Sequence, residues 1–377
     1  MKTFRLVVLF YAIFYVIRQP DIWAGLKSMR TSALIFFLCC IIPVIALGST
    51  DPIFSLNRAQ TFIVPFMYTF LSVSLLIYRY GQRYMLIRFS ELVLLVYSIP
   101  VLSYLLFGGN FSGKSIYGIS YESELVFASN HFGWSSAMLL ISALFFWRTH
   151  NLRLLPKIAV IFLYLLAAYL VVVSANRTSM LAIALSLLVF FFRYKGVNLI
   201  SKIILLTIPF AVFFYFRNQE NSAVDFIIKR TQYQREVGGE GRLKRTEYLI
   251  EQFNRQPALW VSGAGIFDYS IFQQGDEGFG GYHNSYWELL FGLGIPLFLL
   301  FMRFMLFIPT LQFIRRISRF DFVFIPLALI PFFESNLTGG QFLFFPWFIY
   351  IFILNGKQQY YRHGVRNRPL TIEQANH

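Results

Sequence analysis

Long apolar runs separated by mostly short connections constrain this chain more than any other feature. They fall at 4–17, 31–48, 61–78, 85–107, 125–147, 157–173, 178–192, 197–216, 285–307, 320–333 and 342–354. A bilayer's hydrocarbon core asks for about 20 apolar residues per helix, so the short first run is a candidate re-entrant segment and the last two have room to extend. The run at the N-terminus has the basic start of a signal peptide. No small-residue cleavage site precedes Arg18-Gln19-Pro20, so it is read as a short first membrane helix. With 57% hydrophobic and 14% charged residues, a soluble fold of this length could not hide its apolar surface from water. The 45 Phe and 22 Tyr suit helices that face acyl chains and place rings at the headgroup level. The expected fold is an all-α polytopic membrane protein with about ten or eleven transmembrane helices.

Loop charge checks that expectation, because short cytoplasmic loops collect Lys and Arg. Arg18/Lys27/Arg30, Arg79/Arg83/Arg88, Arg148/Arg153/Lys157, Arg193/Lys195/Lys202, Arg303/Arg315/Arg316/Arg319 and Lys357/Arg362/Arg365/Arg367 all fall on one side of the helix count. Between them, the short loops carry only Arg58, Lys114 and Arg177 against Asp51, Glu122, Glu124 and Glu334. The basic side is read as the cytoplasm, with the C-terminus there. The formal net charge of +15 therefore signals topology, and nucleic acid is not expected as a partner. Cys39 and Cys40 are adjacent in an apolar run, which argues against a disulfide.

One outer connection, 217–282, is far longer than the rest and mixes both charge signs, as functional loops of that length do. Within it, 241–256 reads as an amphipathic helix with Leu243, Ile250 and Phe253 on one face and a stop at Pro257. Gly263-Ala264-Gly265 and the Gly-rich 275–281 read as a flexible loop leading back to the membrane. The organisation expected is N-terminal transmembrane helices over 1–216, the large outer loop over 217–282, C-terminal transmembrane helices over 283–356 and a basic cytoplasmic tail over 357–377. No inverted repeat of the transporter kind is visible.

Candidate chemistry collects on the outer side. His283, in His283-Asn284-Ser285-Tyr286-Trp287-Glu288, stands where the long loop re-enters the membrane, and imidazole suits proton transfer near neutrality. A helix-capping or interfacial histidine is the other reading of it. Arg177 lies in a tight outer turn, Ser174 to Ser179, where the charge rule does not expect an arginine. It reads as a ligand for a diphosphate, whose oxygens match the guanidinium fork, or as a side chain snorkelling to lipid phosphate. Arg242 and Arg245, three apart on the amphipathic helix, are weaker diphosphate candidates, since solvated helices often carry such charges. Glu334 interrupts the last apolar stretch, and Glu91 and Glu288 lie inside helices, where a carboxylate needs a partner or a polar cavity. The scattered histidines and the absence of Asp-x-Asp predict no metal, and no P-loop, dinucleotide fingerprint or Gly-x-Ser-x-Gly suggests a cofactor.

Three segments in order, the Ser174–Ser179 turn, Gly241-Arg242-Leu243 with Gly263-Ala264-Gly265-Ile266-Phe267, and His283-Asn284-Ser285-Tyr286 with Gly292-Leu293-Gly294-Ile295, together resemble the bacterial O-antigen polymerase and O-antigen ligase family. Ser49-Thr50-Asp51-Pro52, Ser55-Leu56-Asn57-Arg58, Asn130-His131-Phe132-Gly133 and Glu334-Ser335 also fall where that family has related segments. The resemblance implies a GT-C-like, metal-independent, inverting glycosyltransferase of the bacterial inner membrane, working on the periplasmic face in lipopolysaccharide biosynthesis. It implies a glycan on undecaprenyl diphosphate as donor, His283 as catalytic residue, and Arg177 and Arg242 on the diphosphate, with Glu334, Arg230 and Arg255 in support; Arg245, beside Arg242, and Asn284, beside His283, are added as diphosphate-binding and supporting candidates. A chain-length regulator and a flippase are the protein partners it suggests. The function expected is a surface-polysaccharide polymerase; a ligase to lipid A-core and a lipid-linked oligosaccharide flippase are the alternatives.

Overall fold

The computed structural model describes residues 2–49, 52–107, 129–150, 152–174, 176–193, 198–217, 241–265, 284–314, 323–333 and 345–356. Among them the secondary structure is helical: α1 (Lys2–Ile17), α2 (Ile22–Lys27), α3 (Ser32–Leu47), α4 (Pro52–Phe107), α5 (Ser129–Thr149), α6 (Leu154–Val173), α7 (Arg177–Arg193), α8 (Leu199–Arg217), α9 (Gly241–Arg255), α10 (Leu259–Ser262), α11 (Ser285–Ile314), α12 (Phe324–Phe333) and α13 (Phe345–Asn355). Helices are what such apolar runs must form, since lipid offers no partner to an unpaired backbone N–H or C=O. By length and composition, Pro52–Ser103, Leu154–Val173 and Ser285–Ile314 can cross a membrane, and shorter apolar helices occupy Leu6–Ile17, Ser32–Leu47, Leu199–Val212 and Pro346–Asn355. The chain is an all-α membrane protein.

The two expected helices at 61–78 and 85–107 form one element, α4, that turns back on itself at Gly81 (φ 84°, ψ 159°). The reversal shows in how α13 packs against both halves. Phe66 and Phe70 of the first half meet Phe348 and Phe352 in ascending order, whereas in the second half Gln82 reaches the Ile353 carbonyl and Phe89 stacks on Tyr350. α13 thus runs parallel to one arm and antiparallel to the other, wedged along the hairpin. The first arm begins at Pro52, earlier than the apolar run at 61 suggested, because Pro fits a first helical turn and the polar residues between are tolerated at a helix end.

α5 packs against α4, α6 and α7 and is buried continuously from Phe132 to Phe145. A helix buried all round forms the axis of a bundle, and its small Gly133, Ser135, Ser136 and Ser142 let neighbouring helices come close.

The basic connections expected on one side meet at one end of this bundle. Arg79 pairs with Asp21 at 3.0 Å, the Arg30 amide donates to the Asn355 carbonyl at 3.1 Å, and Gln312 donates to the Leu354 carbonyl at 2.8 Å. Arg193 donates to the Phe313 carbonyl at 2.6 Å and covers that residue's ring at 3.9 Å. On the second arm of α4, Glu91 lies 2.7 Å from Arg88 and 2.9 Å from His150, the partners an intrahelical carboxylate needs.

α11 departs from the single straight helix expected over 285–307. Gly294 (φ 72°, ψ 167°) breaks it, leaving an arm from Ser285 to Leu293 ahead of a second section from Ile295 to Ile314. That section is about 30 Å long at the helical rise. The arm packs with α9 and α10 in a cluster apart from the main core, built on Leu249, Phe253, Ala264 and Phe291 and flanked by Ile250, Leu259, Trp260 and Trp287. Leu249 rather than Ile250 is the deeper residue of α9.

Candidate active site

The end of the bundle opposite the basic connections holds two helix starts that carry the sequence candidates. The first is α7. Asn176 is buried and its Oδ1 accepts from the Ser179 amide at 2.9 Å, capping the helix, while Ser174 Oγ donates to the Val171 carbonyl at 2.8 Å. The turn is also pressed onto α5, since a Cβ on Gly133 would lie 2.5 Å from Asn176 Cβ and 2.7 Å from Ser174 Oγ. Arg177, the first residue of α7, is exposed from this fixed frame. A cation there runs against the helix dipole, which favours negative charge at an N-terminus. A guanidinium at the positive end of the helix dipole suits phosphate oxygens.

The second start is the α11 arm. Asn284 takes an extended conformation (φ −149°, ψ 106°), and its Oδ1 accepts from the Tyr286 and Trp287 amides at 3.0 and 3.1 Å. Glu288, in the first turn, is buried. Tyr286 donates its hydroxyl to the Ala328 carbonyl of α12 at 2.9 Å, and α12 in turn packs along α7. α12 therefore contacts both the arm and α7.

The arm is braced from the loop side. Phe253 of α9 packs edge-on to Phe291 with centroids 4.8 Å apart, Trp260 packs edge-on to Phe253 at 5.1 Å, and Trp287 stacks on Phe291 at 5.4 Å. Such pairs add about 0.5–1.5 kcal/mol each beyond area burial. Gly263-Ala264-Gly265, read from sequence as flexible, is instead paired to the arm: the Ala264 amide donates to the Phe291 carbonyl at 2.9 Å and the Gly265 amide to the Gly292 carbonyl at 3.2 Å. Composition alone cannot separate a glycine kept for mobility from one kept for close backbone approach.

Of the sequence candidates, Arg177 and Asn284 thus stand at the capped starts of two helices that both contact α12. Arg242 and Arg245 lie near the N-terminal end of α9, and their side chains are outside the described residues. Arg255 ends that helix and pairs with Glu251 at 2.6 Å on an exposed face, a contact of the kind that contributes about 0–1 kcal/mol. His283, Glu334 and Arg230 lie outside the described residues. The break at Gly294 was missed from sequence, although Gly294 followed by Pro296 is the signal of a helix end and a fresh helix start.

Residues 161–302 match the O-antigen ligase family model. The matched stretch runs from within α6 to Met302 of α11, and so takes in the Arg177 turn, the long loop with α9 and α10, and the arm. No match to a curated protein or to a solved structure was found. Over that stretch, a little over a third of the chain, the protein carries a domain similar to that of the O-antigen ligase family of membrane enzymes.

Proposed function

We propose that this protein is an O-antigen polymerase of the bacterial inner membrane, moving the growing glycan from undecaprenyl diphosphate to the next lipid-linked repeat unit on the periplasmic face. The observation that carries the reading is Arg177 on the first residue of a capped, α5-braced helix, a fixed cation at the end of the bundle away from the basic connections. A departing diphosphate needs positive charge already in place, because fixed donors cost no reorganisation as charge develops. Arg242 and Arg245, on the helix braced against the α11 arm, are assigned to the same diphosphate.

In this mechanism His283, the residue before the Asn284 cap, accepts the proton of the acceptor sugar hydroxyl. The hydroxyl oxygen attacks the anomeric carbon from the face opposite the leaving group. The new glycosidic C–O bond forms as the bond to the diphosphate oxygen breaks, the configuration inverts, and undecaprenyl diphosphate leaves with the electron pair. Glu334, Arg230 and Arg255 are assigned supporting places around the acceptor and the diphosphate. The reaction uses no metal in this reading, because the arginines supply the charge. A chain-length regulator and a flippase are its proposed partners, the C-terminus being cytoplasmic.

A second reading is an O-antigen ligase, favoured by the description of the matching family model. Donor, leaving group and side-chain roles are shared, and only the acceptor changes, to lipid A-core. A deletion strain separates the two. Loss of a polymerase leaves lipopolysaccharide capped with one repeat unit; loss of a ligase leaves bare core with polymer retained on the carrier. Unchanged long capped chains would remove both readings.

A further inference from the structure

The arm and the α9–α10 unit are joined by a backbone contact built around two glycines. Gly263 and Gly294 share one conformation, φ 72° with ψ 168° and 167°, that L side chains rarely adopt. They also close on each other. A Cβ on Gly263 would meet the Gly292 carbonyl oxygen and lie 2.7 Å from the Gly294 nitrogen; one on Gly294 would meet the Val261 carbonyl oxygen and lie 2.8 Å from the Gly263 nitrogen. Both obstacles are backbone, which cannot swing aside as a side-chain tip can. Ala264 and Gly265 complete the contact with their amide bonds to Phe291 and Gly292.

We propose that this glycine clip is a positioning device for glycosyl transfer, holding the α11 arm, which starts at Asn284, in register with the loop helices while leaving the Arg177 turn untouched. The proposal rests on the function given above. The clip makes its contacts at the break in α11, so it sets where the arm leaves the membrane section and where the cap at Asn284 ends up. α7 has a brace from α5 that the clip residues take no part in. Breaking the clip should therefore spoil the placement of the acceptor-activating end more than the grip on the donor's diphosphate. The two glycines act as one contact, so their effects should not add.

The test uses the full-length protein in lipid nanodiscs with lipid-linked repeat units extracted from a polymer-producing strain. Gly263→Ala, Gly294→Ala and the double variant are followed by steady-state chain extension and by hydrogen–deuterium exchange. Ala264→Pro, which removes one amide donor and leaves both glycines in place, is the milder variant should the alanine substitutions fail to reach the membrane. Expected are at least a tenfold loss of kcat with KM for the lipid-linked donor held within about threefold, faster exchange across 259–265, and a double variant no worse than either single. Unchanged exchange, unchanged kcat, a parallel collapse of kcat and donor binding, or additive losses would each overturn the proposal. A wild-type protein that extends no glycan would remove the functional reading and the proposal with it, while protection of the Ala264 and Gly265 amides would still show the contact itself, so the two failures can be told apart.

Discussion

Tyr286 and Ala328 join the α11 arm to α12 through one hydroxyl-to-carbonyl hydrogen bond of 2.9 Å, and α12 also packs against α7. Removing that hydroxyl should be felt without loss of the fold. Tyr286→Phe is expected to cost about 0.5–1.5 kcal/mol, the net worth of one hydrogen bond, read as a lower melting temperature in detergent. Tyr286→Ala empties a buried ring site and should cost about 3–5 kcal/mol. A Phe variant as damaged as the Ala variant would show that the hydroxyl does more than join the two helices.

Asn284 bonds two amides of its own helix start, so its role as a cap can be separated from any role in chemistry. Asn284→Ala should destabilise by about 1 kcal/mol, whereas Asn284→Ser and Asn284→Asp, both good caps, should restore most of that. Chain extension that tracks stability across the three variants identifies a cap. Activity lost in all three despite restored stability would place the carboxamide itself against substrate.

At Arg177 the contrast lies between charge and shape. Arg177→Ala is expected to lower kcat/KM for extension about 100-fold, or roughly 2.7 kcal/mol of transition-state stabilisation. Arg177→Lys should recover only a fraction of it, since an ammonium offers a point charge in place of a planar fork. Full activity in the Lys variant would argue for general electrostatics rather than bidentate recognition, and full activity in the Ala variant would take Arg177 out of the site.

His150 supplies a control from the other end of the bundle. It bridges Glu91 at 2.9 Å and Thr149 at 2.9 Å, with Ser90 2.8 Å from the Thr149 hydroxyl, tying α4 to α5. Because the carboxylate is partly exposed and also held by Arg88, His150→Ala should cost no more than about 1 kcal/mol. Turnover in lipid bilayers at fixed protein content should stay near wild type. A large fall in kcat with stability intact would put chemistry at both ends of the molecule.

The helices themselves were largely legible in the sequence. α7 is Arg177–Arg193 against an expected 178–192, and α8 is Leu199–Arg217 against 197–216, because apolar runs bounded by charge leave the backbone no other solution in lipid. The turn at Gly81 was legible as well, flagged by the arginines around it. What hydropathy could not reveal was the break at Gly294, since a bent helix inside apolar sequence looks the same as a straight one. Leu249 was missed on α9 because a face assigned from spacing leaves its centre uncertain by one residue. At the candidate site, Arg177 stood out as a cation on the wrong side, but nothing in one dimension joins it to Asn284. That link runs through Tyr286 and α12, more than forty residues further along the chain.

The wedge of α13 in the α4 hairpin has a consequence for biogenesis. The slot lined by Phe62, Phe66, Phe70 and Phe89 is laid down early in translation, and the rings that fill it, Phe348, Tyr350 and Phe352, leave the ribosome after every other helix described. Until then that side of the hairpin lacks the rings that pack on it, apart from Phe301 and Phe304 of α11. Closure of that slot therefore comes late in synthesis, long after the hairpin that forms it.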